Sequence, residues 1–156
     1  GEGSRLVIRF DDTSSLTLGE NAEVAIDAMI YEPAGRTPEL GAQSLKFVQG
    51  VFRYVSGKVS KSMPDQVALN TPVATIGIRG TEFVFGEFTV GMPPGESHYG
   101  FQVYQGAVEI TSLGGAVTLD EPGEGTFLPL TGVAAPTPPS IWSAEAAAEA
   151  RDALAF

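Results

Sequence analysis

The sequence predicts an all-β fold that ends in a single helix. Three observations support this class: apolar and polar residues alternate over short stretches, glycine and proline recur between those stretches, and the last residues are rich in alanine. The chain has 156 residues with 19 glycines and 11 prolines, which suits one domain of many short strands. We expect an irregular, β-solenoid-like stack of short strands, with a two-sheet β-sandwich as the alternative.

Individual strands are predicted from their alternation. Leu16 and Leu18 flank Thr17 with the period of a half-buried strand. The longest apolar stretch covers 44–59 and is interrupted by Gly50 and Gly57, which indicates consecutive strands joined at glycine corners. Other short strands are predicted at 5–10, 23–28, 67–70, 74–77, 82–85, 88–90, 100–104, 107–111, 116–119 and 126–128.

The composition changes after Leu119. We therefore predict a β domain over 1–121, a linker rich in proline and glycine over 122–142, and an alanine-rich helix over 143–156. Ser143 is the predicted N-cap of that helix, and Trp142 is expected to fasten the start of the helix to the β domain.

Charge and composition exclude several classes of function. Nine lysines and arginines against 19 acidic residues give a net charge of −10, which disfavours binding to nucleic acid. The absence of cysteine excludes a disulfide framework, a thiolate zinc site and a catalytic thiol. No apolar run is long enough to span a membrane, so we expect contact with a membrane only by association.

No residue pattern indicates catalysis. His98 is the only histidine and lies in a glycine- and proline-rich loop, so we predict a solvated loop residue and no transition-metal site. The acidic pairs Asp11-Asp12 and Asp120-Glu121 are predicted to be solvated turn residues. We expect no enzymatic activity, no metal and no cofactor.

Positive charge is concentrated in one window. The window 40–64 contains no Asp or Glu but holds four basic residues: Lys46, Arg53, Lys58 and Lys61. Two interpretations are open. These side chains either protect an edge strand against aggregation, or they form a docking patch for an acidic partner or a second copy of this chain.

The segment from Thr71 to Phe83 carries the most specific motif, with the sequence TPVATIGIRGTEF. Pro72 favours an extended start, and Gly77 and Gly80 permit sharp turns on either side of Arg79. We expect the guanidinium to tie neighbouring turns together, with a partner contact as the alternative. The motif residues of interest are Thr71, Pro72, Gly77, Arg79, Gly80 and Thr81.

This motif resembles the signature of FecR-type domains, a family named after the periplasmic part of ferric-citrate-type regulators. Weaker matches in the same order occur at 12–27, 50–58 and 103–108, so the resemblance covers about residues 5–120. It implies a periplasmic or extracellular β domain of a Gram-negative bacterium that acts in envelope signalling or binds proteins, without catalytic activity. Full-length regulators of this kind also carry a cytoplasmic anti-sigma segment, a transmembrane helix and a C-terminal module. Because these are not found here, we expect a stand-alone or accessory member.

Three functions from different classes follow. The first is an extracytoplasmic protein-binding module that uses the basic window. The second is a structural protein that assembles with copies of itself. The third is a binder of a small ligand such as carbohydrate, through aromatic residues at strand spacing: Tyr99, Phe101 and Tyr104.

Overall fold

The computed structural model describes residues 1–32 and 40–155 and confirms an all-β fold with a C-terminal helix. Its helices are α1 (Lys58–Ser62) and α2 (Ala144–Leu154), with one 3₁₀ turn at Pro64–Gln66. The strands are β1 (Leu6–Arg9), β2 (Ser15–Leu18), β3 (Glu23–Glu32), β4 (Leu40–Gln49), β5 (Val51–Val55), β6 (Val67–Asn70), β7 (Thr75–Phe88), β8 (His98–Ser112), β9 (Gly115–Leu119), β10 (Glu124–Leu128) and β11 (Ser140–Ile141).

The eleven strands belong to one continuous sheet that bends over itself. The two longest strands, β7 and β8, run through both halves of it. The second half of β7 and the first half of β8 lie in a layer with β1, β2, β5, β10 and β11. Their other halves lie in a layer with β3, β4, β6 and β9. We call the first the helix-covered layer and the second the open layer.

Glycines bend the two long strands where the sequence suggested that strands end. Gly80 and Gly106 have φ values of +45° and +78°, a region that favours glycine. The register between β7 and β8 shifts after Arg79, which marks a bulge at the bend. The strands predicted separately at 74–77 and 82–85, and at 100–104 and 107–111, are therefore continuous through β7 and β8.

The core lies between the two layers. Phe47 of the open layer contacts Phe52 and Phe85 of the helix-covered layer, with ring centroids 4.8 and 4.7 Å apart. Phe83 and Phe101 extend this aromatic cluster by stacking on Phe85. Buried residues alternate with more exposed ones along β2 and β5, as the sequence predicts for half-buried strands.

Helix α2 packs on the outer surface of the helix-covered layer. The Ser143 hydroxyl accepts a hydrogen bond from the Ala146 nitrogen at 3.2 Å, which confirms the predicted N-cap. Trp142, Ala146, Ala150 and Leu154 are buried against the sheet. Trp142 meets the Phe88 ring edge-on at 5.4 Å, so it fastens the start of the helix as expected.

Part of the segment predicted as a linker belongs to the sheet. β10 pairs with β8 and β11 pairs with β10, so residues 124–128 and 140–141 are strands. Thr126 is buried, and its hydroxyl donates to the Thr137 carbonyl at 2.7 Å, which holds the proline-rich segment against β10. The prolines supply no backbone donor here, so Thr137 makes the remaining contacts: its nitrogen donates to the Phe127 carbonyl at 3.1 Å and its hydroxyl accepts from the Phe127 nitrogen at 3.0 Å. The division into domains itself stays a prediction.

Asp12 was expected to be solvated but is fully buried. Its carboxylate accepts hydrogen bonds from the Ser14 hydroxyl at 2.6 Å and from the Ser14 and Val59 nitrogens at 3.0 and 3.3 Å. Gln43 links this group to Tyr54, whose hydroxyl donates to the Gln43 side chain. The buried carboxylate is tolerated because these donors satisfy it, and it fixes α1 to the first turn of the sheet. Asp11, Asp120 and Glu121 are exposed as predicted.

Across residues 1–32 and 40–155, neither helix has the length and apolar character needed to span a membrane.

Candidate protein-docking surface

The two outer surfaces of the folded sheet differ in what covers them. Helix α2 shields the helix-covered layer, whereas among the described residues the corresponding surface of the open layer meets only α1 and the 3₁₀ turn at Pro64–Gln66, at its margin. We call that surface the open face. One row of paired residues crosses all six of its strands, and it consists of Ala25, Lys46, Asn70, Thr75, Thr111 and Ala116.

Small and polar side chains make up most of the open face. Thr75, Gly77, Glu109 and Thr118 are exposed, and they project away from the buried residues of the same strands. The residues of β7 alternate regularly between exposed and buried from Thr75 to Arg79. This alternation presents every second residue of this part of β7 to solvent, so the face is accessible.

Arg79 projects from this face and does not tie turns together. It is exposed, and its guanidinium has no hydrogen bond or ion pair with any described residue. The expected structural tie is made by Thr81 instead, whose hydroxyl donates to the Gln105 carbonyl at 2.9 Å across the bend. The Thr81 nitrogen also donates to the Ser56 hydroxyl at 2.9 Å. A buried threonine next to the bulge is close enough to bridge the strands, whereas Arg79 points outward.

A groove of about 480 Å³ lies beside Arg79 on the open face. Gly77 and Ala107 form part of its floor, and Asp65 and Glu109 contribute carboxylates. A Cβ on Gly77 would come no closer than 3.8 Å to another atom, the Glu109 Cβ, so the floor is open there. The groove thus brings a guanidinium and two carboxylates together on one accessible surface.

The remaining motif residues shape the turns around this surface. The Thr71 hydroxyl accepts from the Ala74 nitrogen at 3.0 Å and donates to the Ala74 carbonyl at 2.8 Å. It thereby closes the turn that carries the exposed Pro72 into β7. Gly80 forms the bend described above. These are structural roles. Of the two charged residues in the motif, Glu82 pairs with Arg53, and Arg79 alone has no ion pair among the described residues.

The four basic residues of the window 40–64 do not lie on one surface. Lys46 lies on the open face, whereas Arg53 lies on the outer surface of the helix-covered layer and forms an ion pair with Glu82. Lys58 and Lys61 lie on α1, and the Lys58 amine is 6.0 Å from the centre of the Tyr31 ring. The strands that carry Lys46 and Arg53 are both inner strands of the sheet, so the edge-protection interpretation is wrong for them.

The combination of Lys46, Arg79 and Glu109 on one surface was not predicted from the sequence. The three residues lie on β4, β7 and β8, far apart in the chain, and their common side follows only from the register. The sequence did indicate that two of these residues face outward on their strands, because each alternates with apolar neighbours. Lys46 lies between Leu45 and Phe47, and Arg79 follows Ile78.

His98 and the aromatic residues have structural roles. His98 is the first residue of β8, and its ring stacks on Phe127 at 4.0 Å, so it is not a solvated loop residue. Burial lowers the pKa of its imidazole. Tyr99 and Phe101 are buried in the core, and Tyr104 is half-buried near α2, so they offer no exposed platform for a sugar. The described residues contain no group of side chains suited to hold a metal ion.

Comparison with known proteins identifies the class of this domain. The family model described as "FecR protein" matches residues 1–109, and the chain belongs to that family. The resemblance inferred from the Arg79 motif is thus confirmed. Membership supports a signalling or regulatory role rather than an enzymatic one. No curated protein sequence matches the chain.

The fold also resembles solved structures. Two crystal structures of a candidate anti-sigma factor from Parabacteroides distasonis ATCC 8503, at 1.65 and 2.50 Å resolution, have TM-scores of 0.59 and 0.58 to this chain. Each is 16% identical and covers 92% of this chain. The chain spans 58% of the length of those proteins. At this identity the likeness concerns the fold.

Proposed function

We propose that this chain is an extracytoplasmic protein-binding module in envelope signalling or regulation, and that the open face binds its partner. One observation carries the proposal. Arg79 and Lys46 are exposed on an uncovered sheet surface and have no acidic partner among the described residues, although the chain as a whole carries a net charge of −10. A cation left unpaired in such an acidic protein is available to an acidic partner.

Arg53 shows by contrast that the basic window as a whole does not form the proposed partner surface. It belongs to the same basic window, yet Glu82 neutralises it on the other layer. The partner surface is therefore defined by Arg79 and Lys46 more than by the window as a whole. Lys58 and Lys61 stand on α1, which contacts β4 and β7 and lies at the margin of the open face.

Location outside the cytoplasm rests on family membership and on the resemblance of the Arg79 motif. Anti-sigma factor-like relatives in fold make a regulatory protein the expected partner class. Nucleic acid is not expected, because the acidic surface repels phosphate.

The test is capture of partners from envelope extracts with the tagged chain, quantified by mass spectrometry. Arg79→Glu and Lys46→Glu, each made separately, are expected to reduce recovery of the specific partner at least about tenfold, and recovery should fall as salt rises. Arg9→Glu is the matched control, because Arg9 is an exposed arginine on β1, away from the open face.

Two outcomes would redirect the proposal. Equal loss with Arg9→Glu would mean that net charge, not the open face, governs binding. Recovery of the chain alone, in multiples, would favour the structural, self-assembling alternative. A carbohydrate ligand would need aromatic side chains other than Tyr99 and Phe101, which are buried.

A further inference from the structure

A second surface lies at the end of the open layer where β8 turns into β9. The hairpin tip carries Leu113, which is 87% exposed. The loop after β10 packs beside it, because the Ser112 hydroxyl donates to the Ala134 carbonyl at 2.6 Å. In that loop Leu130 and Val133 are 45% and 61% exposed. We call Leu113, Leu130 and Val133 the aliphatic tip.

Close backbone contacts hold the parts of the tip together. A Cβ on Gly114 would lie 2.3 Å from the Ala135 nitrogen, so only glycine lets the hairpin approach the loop this closely. Gly132 lies against the turn that Thr71 closes, where a Cβ on Gly132 would be 3.3 Å from the Val73 Cα. The tip is thus a fixed structure built from three segments rather than a set of independent loop residues.

All three segments are free of charge. Residues 67–78, 110–119 and 125–144 contain no Asp, Glu, Lys or Arg, in a chain where such residues make up 18%. Exposed leucines and valine therefore project from a part of the molecule that carries no ionic groups of its own. Moving such a surface out of water costs little free energy, because it has no charged groups to desolvate.

We infer that the aliphatic tip inserts into the boundary of a lipid bilayer and orients the domain on a membrane surface. A stable protein interface needs about 20 residues a side and draws its affinity from buried aromatic and arginine anchors. The tip offers three aliphatic side chains and neither kind of anchor. A bilayer needs no complementary pocket, and a few aliphatic groups at its boundary give reversible binding.

Charge defines the kind of membrane surface. The net charge of −10 lies on the rest of the molecule and repels anionic headgroups. Binding should therefore be stronger on zwitterionic vesicles than on anionic ones, and salt should weaken the repulsion from the latter. The open face is a separate surface, so this inference does not depend on its function.

The chain contains no cysteine, which permits single-site labelling. Leu113→Cys would carry an environment-sensitive fluorophore, and Gln105→Cys, exposed at the bend at the other end of this half of β8, is the matched control. With phosphatidylcholine vesicles, emission at position 113 is expected to shift to the blue and to rise at least about twofold, with no change at position 105.

A second variant tests the affinity of the chain for vesicles. Leu113→Asp with Val133→Asp should lower vesicle partitioning of the full chain at least about tenfold, since each aliphatic group contributes roughly one tenfold step. Its melting temperature should stay unchanged because both side chains are exposed.

Three results would overturn the inference. The first is the absence of any emission change at position 113 at millimolar lipid. The second is an equal change at positions 113 and 105. The third is a change at 113 that needs no lipid and grows with protein concentration, which would show that the tip contacts another copy of the chain.

Discussion

Gly106 lies directly against the carbonyl of Gly80, so that a Cβ on Gly106 would stand 1.9 Å from that oxygen. The contact joins β7 and β8 at the bend between the two layers. Gly106→Ala must shift the backbone there and also adopt a φ of +78°. We expect a loss of at least about 3 kcal/mol in the free energy of unfolding, measured by denaturant titration. Gly77→Ala on β7, where the added Cβ would meet only the Glu109 Cβ at 3.8 Å, should change it by less than about 0.5 kcal/mol.

The buried carboxylate of Asp12 provides a second prediction. Asp12→Ala leaves the Ser14 hydroxyl and the Ser14 and Val59 nitrogens without their acceptor. We expect a loss of about 2–4 kcal/mol, seen as a lower melting temperature. The neighbouring Asp11→Ala is the control and should have almost no effect, because Asp11 is exposed. Equal effects of the two substitutions would contradict the buried network.

Glu149 fastens α2 to the loop that follows β7. Its carboxylate accepts from the Thr89 nitrogen, the Thr89 hydroxyl and the Val90 nitrogen at 2.7, 2.8 and 2.9 Å. Glu149→Ala should weaken the docking of the helix by about 1–2 kcal/mol. Faster hydrogen exchange of the α2 amides, with the exchange of β7 unchanged, is the expected readout. Glu145→Ala, on the exposed side of the same helix, should leave the exchange nearly unaltered.

Acidification should destabilise the fold through His98. Burial lowers the pKa of its imidazole below the ordinary 6.5, so the unfolded chain takes up the proton first as the pH falls. Stability contributed by neutral His98 is complete above pH 6.5 and is lost as the pH falls toward the lowered pKa. In His98→Phe, which retains a ring to stack on Phe127, the decline in melting temperature between pH 7 and pH 5.5 should be smaller. An identical decline in both proteins would refute the assignment.

Arg79 tests the separation of structure from binding. Because its guanidinium contacts no described residue, Arg79→Ala should change the free energy of unfolding by less than about 0.5 kcal/mol. Thr81→Val, which removes the hydroxyl that bridges to Gln105, should cost about 1–2 kcal/mol. A large loss with Arg79→Ala and none with Thr81→Val would restore the structural tie first expected for Arg79.

Local features of this fold could be predicted from local sequence. The alternation at Leu16 and Leu18 gave a correct strand, and Ser143 before an alanine-rich run gave a correct N-cap. Both depend on neighbours within a few residues, where side-chain periodicity and capping chemistry act directly.

Other features depend on residues that are distant in the chain. Asp12 is buried where the Val59 nitrogen donates to it and Gln43 donates to its partner Ser14, and nothing near Asp12 in sequence distinguishes it from the exposed Asp11. Arg79 is exposed in phase with Thr75 and Gly77, and the pairing of β7 with β6 and β8 places this side of the strand on the open face. Register is fixed by packing across the sheet, so the outward side of each strand could not be assigned to a shared surface beforehand.

Arg5, just before β1, and Gly19, just after β2, both lie against the last residues of α2. The Arg5 guanidinium donates to the Asp152 carbonyl at 3.4 Å, and a Cβ on Gly19 would be 2.9 Å from the Ala153 carbonyl oxygen. Tension applied between residues 5 and 152 would therefore act across this junction. It would peel α2 from the sheet, breaking its contacts one after another, before any load reached the strands of the core. Under force the domain should yield first by releasing the helix, at a threshold well below that for rupture of the sheet.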